Sequence, residues 1–257
     1  MKIATWNVNS LKVRLPQVLD WLNAMQPDVL CLQETKMEDK AFPANELAAA
    51  GYVGLAHNGQ KTYNGVAILA RTALLDVARD LPGFDDLQKR VIAATIQGVR
   101  VVCVYVPNGQ AVGEEKYAYK LRWLHALQQW LDGELQRHPE LVLLGDFNIA
   151  PADEDVHDPE AWREQILCSS AERAALDGLL QLGLMDAFRL FEQAPKSYSW
   201  WDYRQMGFRL NRGLRIDHIL LSTALAPRCR ACAIDKAPRR LERPSDHAPV
   251  WAELIRP

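Results

Sequence analysis

The chain has 257 residues, of which 49% are hydrophobic and 24% are charged, so it can bury a large core without disulfides or a structural metal. Its five cysteines cannot all pair, which argues against a disulfide framework and fits a reducing compartment. Residues 1–7 lack the apolar segment of a signal peptide, and no apolar run approaches membrane-spanning length, so we expect a cytoplasmic monomer without a membrane partner.

In the first half of the chain, apolar runs predict buried strands at residues 2–6 and 29–32. A helix is predicted between them at 15–25, with Pro16 in its first turn. A second helix is predicted at 116–136, because Leu121, Leu124, Leu127 and Leu131 recur on one face. Further strands of this half are predicted at 66–70, 91–96 and 100–106.

The second half continues the alternation of strands and helices. A helix is predicted at 172–182, and strands are predicted at 141–144, 215–221, 228–234 and 249–254. This alternation indicates α/β layers. Strands in both halves end in polar residues, so we expect two packed mixed sheets flanked by helices, a four-layer sandwich whose polar strand ends gather together.

Two alternatives in the organisation of the chain are weighed against this fold. A doubly wound nucleotide-binding sheet is disfavoured because no Gly-rich loop follows the first strand. No stretch is rich enough in Gly, Ser or Pro to serve as a linker, so we expect one catalytic domain over residues 1–257.

Two short polar runs carry the most chemical information. Asp146 and Asn148 follow a predicted strand two residues apart, a spacing that sends both side chains to one face. Asp246 and His247 lie in a proline-flanked loop, so both can face one site. Phosphodiester hydrolysis needs a hard cation, an activated water and a group that neutralises developing charge. These residue types therefore predict a metal-dependent phosphoester hydrolase.

Cys229 and Cys232 form a lone C-x-x-C pair. A zinc site would need further ligands, and the predicted strand at this position places the two sulfurs on opposite faces. We therefore expect packed thiols rather than a metal or redox site.

Seven short runs follow one another over nearly the whole chain: TWNVN (5–9), LQETK (32–36), YNGVA (63–67), GDFN (145–148), YSWWDYR (198–204), LRID (214–217) and SDHAP (245–249). Together they closely resemble the bacterial exonuclease III-type branch of the abasic-site endonuclease family. The Trp-x-Asp-Tyr-Arg run separates the DNA-repair members from the wider endonuclease/exonuclease/phosphatase superfamily. The resemblance implies an Mg²⁺-dependent phosphodiesterase that acts at 3′ termini, on the 5′ side of abasic sites, or both.

The same resemblance implies a metal site. Glu34 would be the principal Mg²⁺ ligand, with Asn7 and Asp246 close by, and Mn²⁺ would substitute for Mg²⁺. Asp146 would handle the attacking water or the leaving oxygen. Asn148 would hold Asp146 in place and contact the phosphate.

Three further residues are implied in the chemistry. Tyr105 would donate a hydrogen bond to the phosphate. His247 and Asp217 resemble a paired imidazole and carboxylate, in which the carboxylate fixes the tautomer and raises the basicity of the ring. Asp217 and His218 are neighbours on a predicted strand, so only one of them faces the site, and we choose Asp217.

Charge is distributed unevenly along the chain. Residues 200–257 contain eleven Lys or Arg and six Asp or Glu, a net of +5, while residues 1–199 carry −7. A local basic face is enough to bind the phosphates of double-stranded DNA with abasic sites, nicks or blocked 3′ ends. We expect one of the two adjacent tryptophans to line the sugar pocket. The candidate DNA contacts are Lys89, Arg90, Asn108, Lys116, Lys120, Trp200, Trp201, Arg204, Arg212 and Leu167.

The loop at residues 165–173 departs from the family pattern. It lacks a Leu-Pro pair and is about two residues shorter than in typical family members. An apolar Leu167 in this loop would narrow the sugar pocket. That would favour trimming of 3′ termini over incision at an internal abasic site, and Asn108, where bacterial relatives often carry Gln, points the same way.

Two other function classes stay open. A phosphatase of the same superfamily acting on lipid or inositol phosphates would keep Glu34, Asp146, Asn148 and His247 but would not need the run at 200–204. A non-enzymatic DNA-binding module is disfavoured by the complete set of catalytic residue types.

Overall fold

A computed structural model of the protein describes residues 1–255. The strands are β1 (Lys2–Asn7), β2 (Val29–Gln33), β3 (Gly54–Asn58), β4 (Val66–Ala70), β5 (Leu75–Arg79), β6 (Val91–Ile96), β7 (Val99–Tyr105), β8 (Leu141–Asp146), β9 (Leu184–Asp186), β10 (Trp200–Trp201), β11 (Gly213–Leu214), β12 (Asp217–Ser222), β13 (Cys229–Ile234) and β14 (Val250–Leu254). The α-helices are α1 (Leu11–Met25), α2 (Ala44–Ala49), α3 (Glu115–Arg137) and α4 (Ser170–Leu180). Short 3₁₀ turns lie at Asp39–Ala41, Asp153–Asp155, Ala187–Leu190, Arg204–Met206, Ala226–Arg228 and Ala237–Arg240.

Most strands belong to two six-stranded sheets, with the orders β13-β14-β1-β2-β4-β3 and β5-β6-β7-β8-β12-β9. Each is mixed, since β1 runs parallel to β2 and β7 runs parallel to β8 while their other neighbours are antiparallel. Strands β10 and β11 form a separate antiparallel pair. Within the described residues, no helix combines the length and apolar character needed to cross a membrane.

The two sheets pack face to face over an apolar core to which both contribute. Ile3 and Cys31 of the first sheet share this core with Ile92, Val101 and Leu144 of the second. Side chains of α3 and α4 cover the outer face of the second sheet, and those of α1 and α2 cover the outer face of the first. Burial on both faces explains why these strands read as continuous apolar runs. The four-layer sandwich predicted from the sequence is confirmed.

Several element boundaries differ from the prediction. Helix α1 begins at Leu11 rather than residue 15, so Pro16 lies inside the helix. Its missing N–H leaves the carbonyl of Lys12 without a helical partner, which is tolerated because Lys12 is exposed to water. Helix α4 begins two residues early, because Ser169 and Glu172 form a reciprocal N-terminal cap. Strand β5 was missed because it is a largely exposed edge strand without an apolar run.

The C-x-x-C pair also differs from expectation. Strand β13 pairs with β14 through a register shift between Cys229 and Ala231. The extra residue turns both thiols, of Cys229 and Cys232, into the core between the sheets, so the prediction of opposite faces is wrong. Both cysteines are free and buried, as expected for packed thiols.

Candidate active site

Polar strand ends from the two sheets meet at one end of the sandwich. Asn7 ends β1, Glu34 follows β2, and Asp146 ends β8 directly opposite Asp217 of β12. The Asn7 amide nitrogen donates to Glu34 Oε1 at 2.9 Å and to Asp146 Oδ2 at 2.8 Å. One amide of the first sheet therefore holds two carboxylates, one from each sheet, and sets the distance between them.

Glu34, Asp146 and His247 form a potential cation site. Within the described residues, each offers one ligand atom, and these atoms lie within 4.8 Å of one another. Burial raises the pKa of Asp146 to about 7, against the opposing effect of His247. Glu34 also accepts from the Tyr105 hydroxyl at 3.0 Å and pairs with Lys36 at 2.8 Å. The two carboxylates at this spacing fit a hard divalent cation whose remaining ligands are water, and the imidazole lies beside them.

Asn7 and Asp246 lie near the potential cation site, but neither belongs to the 4.8 Å group that contains Glu34. The Asn7 amide oxygen accepts from the Asn9 backbone N–H, so Asn7 would offer an oxygen to a cation only after a half-turn of its amide. The Asp246 carboxylate accepts from the Asn9 side chain and from the Trp200 indole, both at 3.0 Å. Asp246 therefore lies beside the 4.8 Å group and joins it to the Trp200 side of the site.

His247 is bound to Asp217 through its Nδ1, at 2.9 and 3.1 Å from the two carboxylate oxygens. Its Nε2 lies 3.7 Å from Asp146 Oδ2. Burial opposes protonation of the ring, but the charges of Asp217 and Asp146 outweigh it and raise the pKa of His247 to about 10. His218 faces the other way, towards Arg215 and the Ile149 carbonyl, so Asp217 is the residue of the pair that faces His247.

The loop that carries His247 is tied to β1. Ser245 Oγ donates to the Asn7 carbonyl at 2.6 Å and accepts from the His247 backbone N–H at 3.2 Å. The Trp6 indole donates to the His247 carbonyl at 3.2 Å. These bonds fix the proline-flanked loop against the first strand of the chain.

Asn148 reaches the site through a tight turn. Its φ of +50° is left-handed, and its backbone N–H donates to Asp146 Oδ1 at 2.9 Å. The Asn148 amide oxygen accepts from the Asn108 side chain at 3.3 Å, and its amide nitrogen donates to the Val106 carbonyl at 3.0 Å. Asp146 and Asn148 therefore lie together, as expected. The turn closed by the bond from the Asn148 N–H to the Asp146 carboxylate, rather than strand alternation, brings them together.

A 400 Å³ cleft opens on the Tyr105 side of the cluster, and Asn108, Arg90 and Lys116 line it. The Arg90 guanidinium lies 4.7 Å from the centre of the Tyr105 ring. Burial and the neighbouring carboxylates raise the pKa of Tyr105 well above its usual range, so the phenol keeps its proton and can donate. Lys89, further out, pairs with Asp80 at 3.0 Å.

A second pocket, of 350 Å³, opens on the opposite side of the cluster. Trp200, Trp162, Arg204 and Arg212 line it. Trp200 is partly exposed, whereas Trp201 is fully buried in a small core with Tyr198, so Trp201 as a DNA contact is wrong. Adjacent strand residues face opposite sides, and only Trp200 faces the pocket.

Lys120 as a DNA contact is also wrong. Its side chain has no exposed surface and pairs with the equally buried Glu172 of α4. Lys120 lies on the face of α3 that packs against α4. Leu167 is 4% exposed and packs in a cluster that includes Trp162, Trp200 and Leu214.

Residues that the sequence reasoning missed complete the site. Lys36 neutralises Glu34, Asn9 bridges Asn7 and Asp246, and Ser199 accepts from the backbone N–H of Asp217. All three lie in the runs quoted above, within two residues of a chosen site residue. Local spacing could have found Lys36 and Asn9, because a strand end or turn brings residues two apart to the same side, whereas Ser199 meets Asp217 only through the fold.

Comparisons with known proteins fit this geometry. The sequence profile of the endonuclease/exonuclease/phosphatase family matches residues 4–247. Exodeoxyribonuclease III of Haemophilus influenzae is 39% identical over 99% of this chain and its own full length. The structure of the 3′ phosphatase NExo from Neisseria, bound to a product DNA hairpin, is 52% identical with a TM-score of 0.98, covering both chains fully. An AP endonuclease from Archaeoglobus fulgidus is 38% identical with a TM-score of 0.95, again over both full chains.

Proposed function

Because the chain belongs to the endonuclease/exonuclease/phosphatase family and to its exonuclease III-type branch, we propose that this nuclease is an Mg²⁺-dependent enzyme of DNA repair. It hydrolyses phosphoesters at 3′ termini, as a 3′-phosphatase, 3′-phosphodiesterase and 3′–5′ exonuclease, and more slowly on the 5′ side of abasic sites. The single observation that carries the proposal is the 4.8 Å group of Glu34, Asp146 and His247 with Asp217 behind the imidazole.

Glu34 would be the principal ligand of the cation, with Asn7, Asp246 and the Asp146 carboxylate adjoining, and Mn²⁺ would substitute for Mg²⁺. When bound, the cation would supply positive charge to a phosphoryl oxygen. The protonated His247 is placed to donate through Nε2 to a second phosphoryl oxygen, because Asp217 occupies its Nδ1. Tyr105 offers a further donor on the side of the first cleft, and Asn148 would contact the phosphate there once its amide nitrogen releases the Val106 carbonyl.

Asp146 is the group placed to move a proton. Its buried carboxylate lies 3.7 Å from His247 Nε2, within the group that would hold the cation, a position that suits handling either the attacking water or the leaving oxygen. Asn7 and the Asn148 backbone N–H hold one carboxylate oxygen each and fix its orientation. The low accessibility of Asp146, at 1%, keeps bulk water from competing for the proton.

The two pockets give the DNA a path across the site. Arg90, Asn108 and Lys116 would contact phosphates on the Tyr105 side, with Lys89 further out. Trp200, Arg204 and Arg212 would contact the sugar and phosphate on the other side. Arg204 already pairs with Asp202 at 2.7 Å, so binding a phosphate there requires it to exchange partners.

Three oligonucleotides test the function together: a nick with a 3′-phosphate, a blunt undamaged duplex, and a duplex with an internal abasic site. We expect Mg²⁺-dependent release of phosphate from the first and slower trimming of the second. If the protein hydrolysed a soluble inositol phosphate but none of the three DNA substrates, it would instead be a phosphatase of the same superfamily. DNA binding without cleavage would select the binding module.

Leu167→Gly tests the preference for 3′ ends. Leu167 packs with Trp200 where an extruded abasic sugar would enter, and a clash of about 1–3 kcal/mol is comparable to the cost of flipping a nucleotide out of the duplex. We expect the variant to incise internal abasic sites faster, by roughly 5–100-fold, while 3′-phosphate release stays near wild type. The measurement is the rate of cleavage of the abasic and 3′-phosphate substrates by the variant, compared with the unmodified protein.

The neighbouring variant Ile166→Ala is the control, because Ile166 belongs to the same loop and packs, partly buried, at the edge of the cluster in which Leu167 is buried. It should change neither rate. Should the unmodified protein already incise abasic sites as fast as it clears 3′-phosphates, Leu167 does not restrict the pocket.

A further inference from the structure

The buried Lys120 ammonium is fully committed to three acceptors. It donates to the Asn148 carbonyl at 2.7 Å, to the Asn108 carbonyl at 3.2 Å, and to the Glu172 carboxylate. An ammonium has three N–H donors, so none is left for another ligand. Asn108 lines the cleft on the Tyr105 side and its side chain donates to Asn148, so Lys120 holds the backbone of two hydrogen-bonded neighbours there.

Glu172 connects Lys120 to the loop that carries Leu167. Its Oε1 accepts from the Leu167 backbone N–H at 3.1 Å as well as from Lys120. Its Oε2 accepts from the Ser169 backbone N–H at 3.1 Å and from Ser169 Oγ at 2.6 Å. The residue that caps α4 thus also fixes the loop carrying Leu167.

The held residues have backbone conformations that need support. Asn148 has a φ of +50° and Leu167 a φ of +73°, and a leucine rarely adopts this left-handed region. The Ala150 N–H donates to the Leu167 carbonyl at 2.8 Å, so Leu167 is held at both its N–H and its carbonyl. Without the Glu172 carboxylate, the N–H bond would be lost.

A buried ion pair is a weak source of stability, since replacement by apolar residues is often neutral or stabilising. The Lys120–Glu172 pair is therefore better explained by the positions it imposes. We propose that Lys120 and Glu172 are positioning residues that fix both walls of the substrate pocket, the asparagines on the phosphate side and Leu167 on the sugar side, and so determine the preference for 3′ ends. This inference rests on the proposed nuclease function.

Two double variants distinguish the effect on the asparagine wall from the effect on the Leu167 wall. Both remove the charges of Lys120 and Glu172 together, so neither leaves a buried charge unpaired. Lys120→Met/Glu172→Gln loses the donors to the asparagine carbonyls but keeps an oxygen for the Leu167 N–H. Lys120→Met/Glu172→Leu loses both connections. The matched control is Arg100→Met/Glu134→Gln, which removes a second buried pair, 4% exposed on each side, between strand β7 and the same helix α3. Its glutamate lies about 20 Å along the helix from Lys120.

Single-turnover rates on 3′-phosphate and internal abasic substrates are measured for all three, with DNA affinity in EDTA and urea unfolding alongside. For the Gln double variant we expect both rates to fall together by roughly 10–100-fold, since small misplacement of catalytic groups costs this much. For the Leu double variant we expect, in addition, a rise in the ratio of abasic incision to 3′-phosphate release. DNA affinity and the control should stay near wild type.

Rates in both double variants that match the control, in protein that unfolds at a similar urea concentration, would overturn the proposal. An unchanged substrate ratio in the Leu variant would overturn its sugar-side half. Wild-type protein that cleaves neither DNA would instead reject the nuclease function itself, before any variant is compared.

Discussion

We expect Asp217→Asn to lower the single-turnover rate of the proposed 3′-phosphate release by roughly 10²–10⁴-fold and to leave DNA affinity near wild type. The carboxylate contacts only the Nδ1 of His247 within the site, so its loss affects the chemistry and not the DNA surface. Burial alone lowers the pKa of His247, and the Asp217 charge is the largest effect that raises it to about 10. With the charge removed, this pKa falls and the protonated ring that faces the phosphate is lost at a lower pH.

The pH dependence of the residual activity supplies a second measurement. If protonated His247 is required, the alkaline limb of the rate profile shifts to lower pH in Asp217→Asn. His218→Ala is the control, because His218 is equally buried on the same strand but faces Arg215. Equal losses of rate in the two variants would show that Asp217 has no special connection to the chemistry.

We expect Glu34→Ala to abolish activity at low Mg²⁺ and to regain part of it at high Mg²⁺. Asp146 and the adjoining Asp246 still attract the cation, but the most accessible carboxylate of the 4.8 Å group is gone. Loss of a residue that merely supports a metal ligand costs roughly 10–100-fold in affinity or activity, so loss of the ligand costs at least as much. The measurement is the Mg²⁺ concentration at half-maximal rate, which should rise by at least that factor.

Glu38→Ala provides the comparison, since Glu38 lies four residues further along the same segment and pairs with the exposed Lys40. It should leave the Mg²⁺ midpoint where it is. A midpoint that Glu34→Ala also leaves in place would mean that Glu34 does not bind the cation.

Much of the fold could be predicted because its central strands are buried on both faces. Runs such as residues 66–70 are continuously apolar, and the adjoining polar residues mark where they end. The gathering of these ends also predicted that Asp146, Asp217 and Glu34 would lie together. Edge strand β5 carries no such pattern, because most of its side chains face solvent and need not be apolar.

The errors within the site have a common origin. Lys120 and Trp201 are residue types that usually lie at surfaces or line DNA pockets, and a sequence does not show which tertiary partner takes them inside. Lys120 is buried because Glu172, 52 residues later, meets it across two helices. Trp201 is buried because the two-residue strand β10 turns it away from Trp200. Both facts depend on contacts between distant segments.

The connection of the His247 loop to β1 sets the order in which activity can arise during synthesis. Ser245 and His247, which complete the site, are made 238 and 240 residues after Asn7. Strand β14, immediately after them, must then insert between β13 and β1. A nascent chain therefore has no assembled cleavage centre until β14 has left the ribosome, and we expect polypeptides cut short before residue 245, which lack His247, not to cleave DNA.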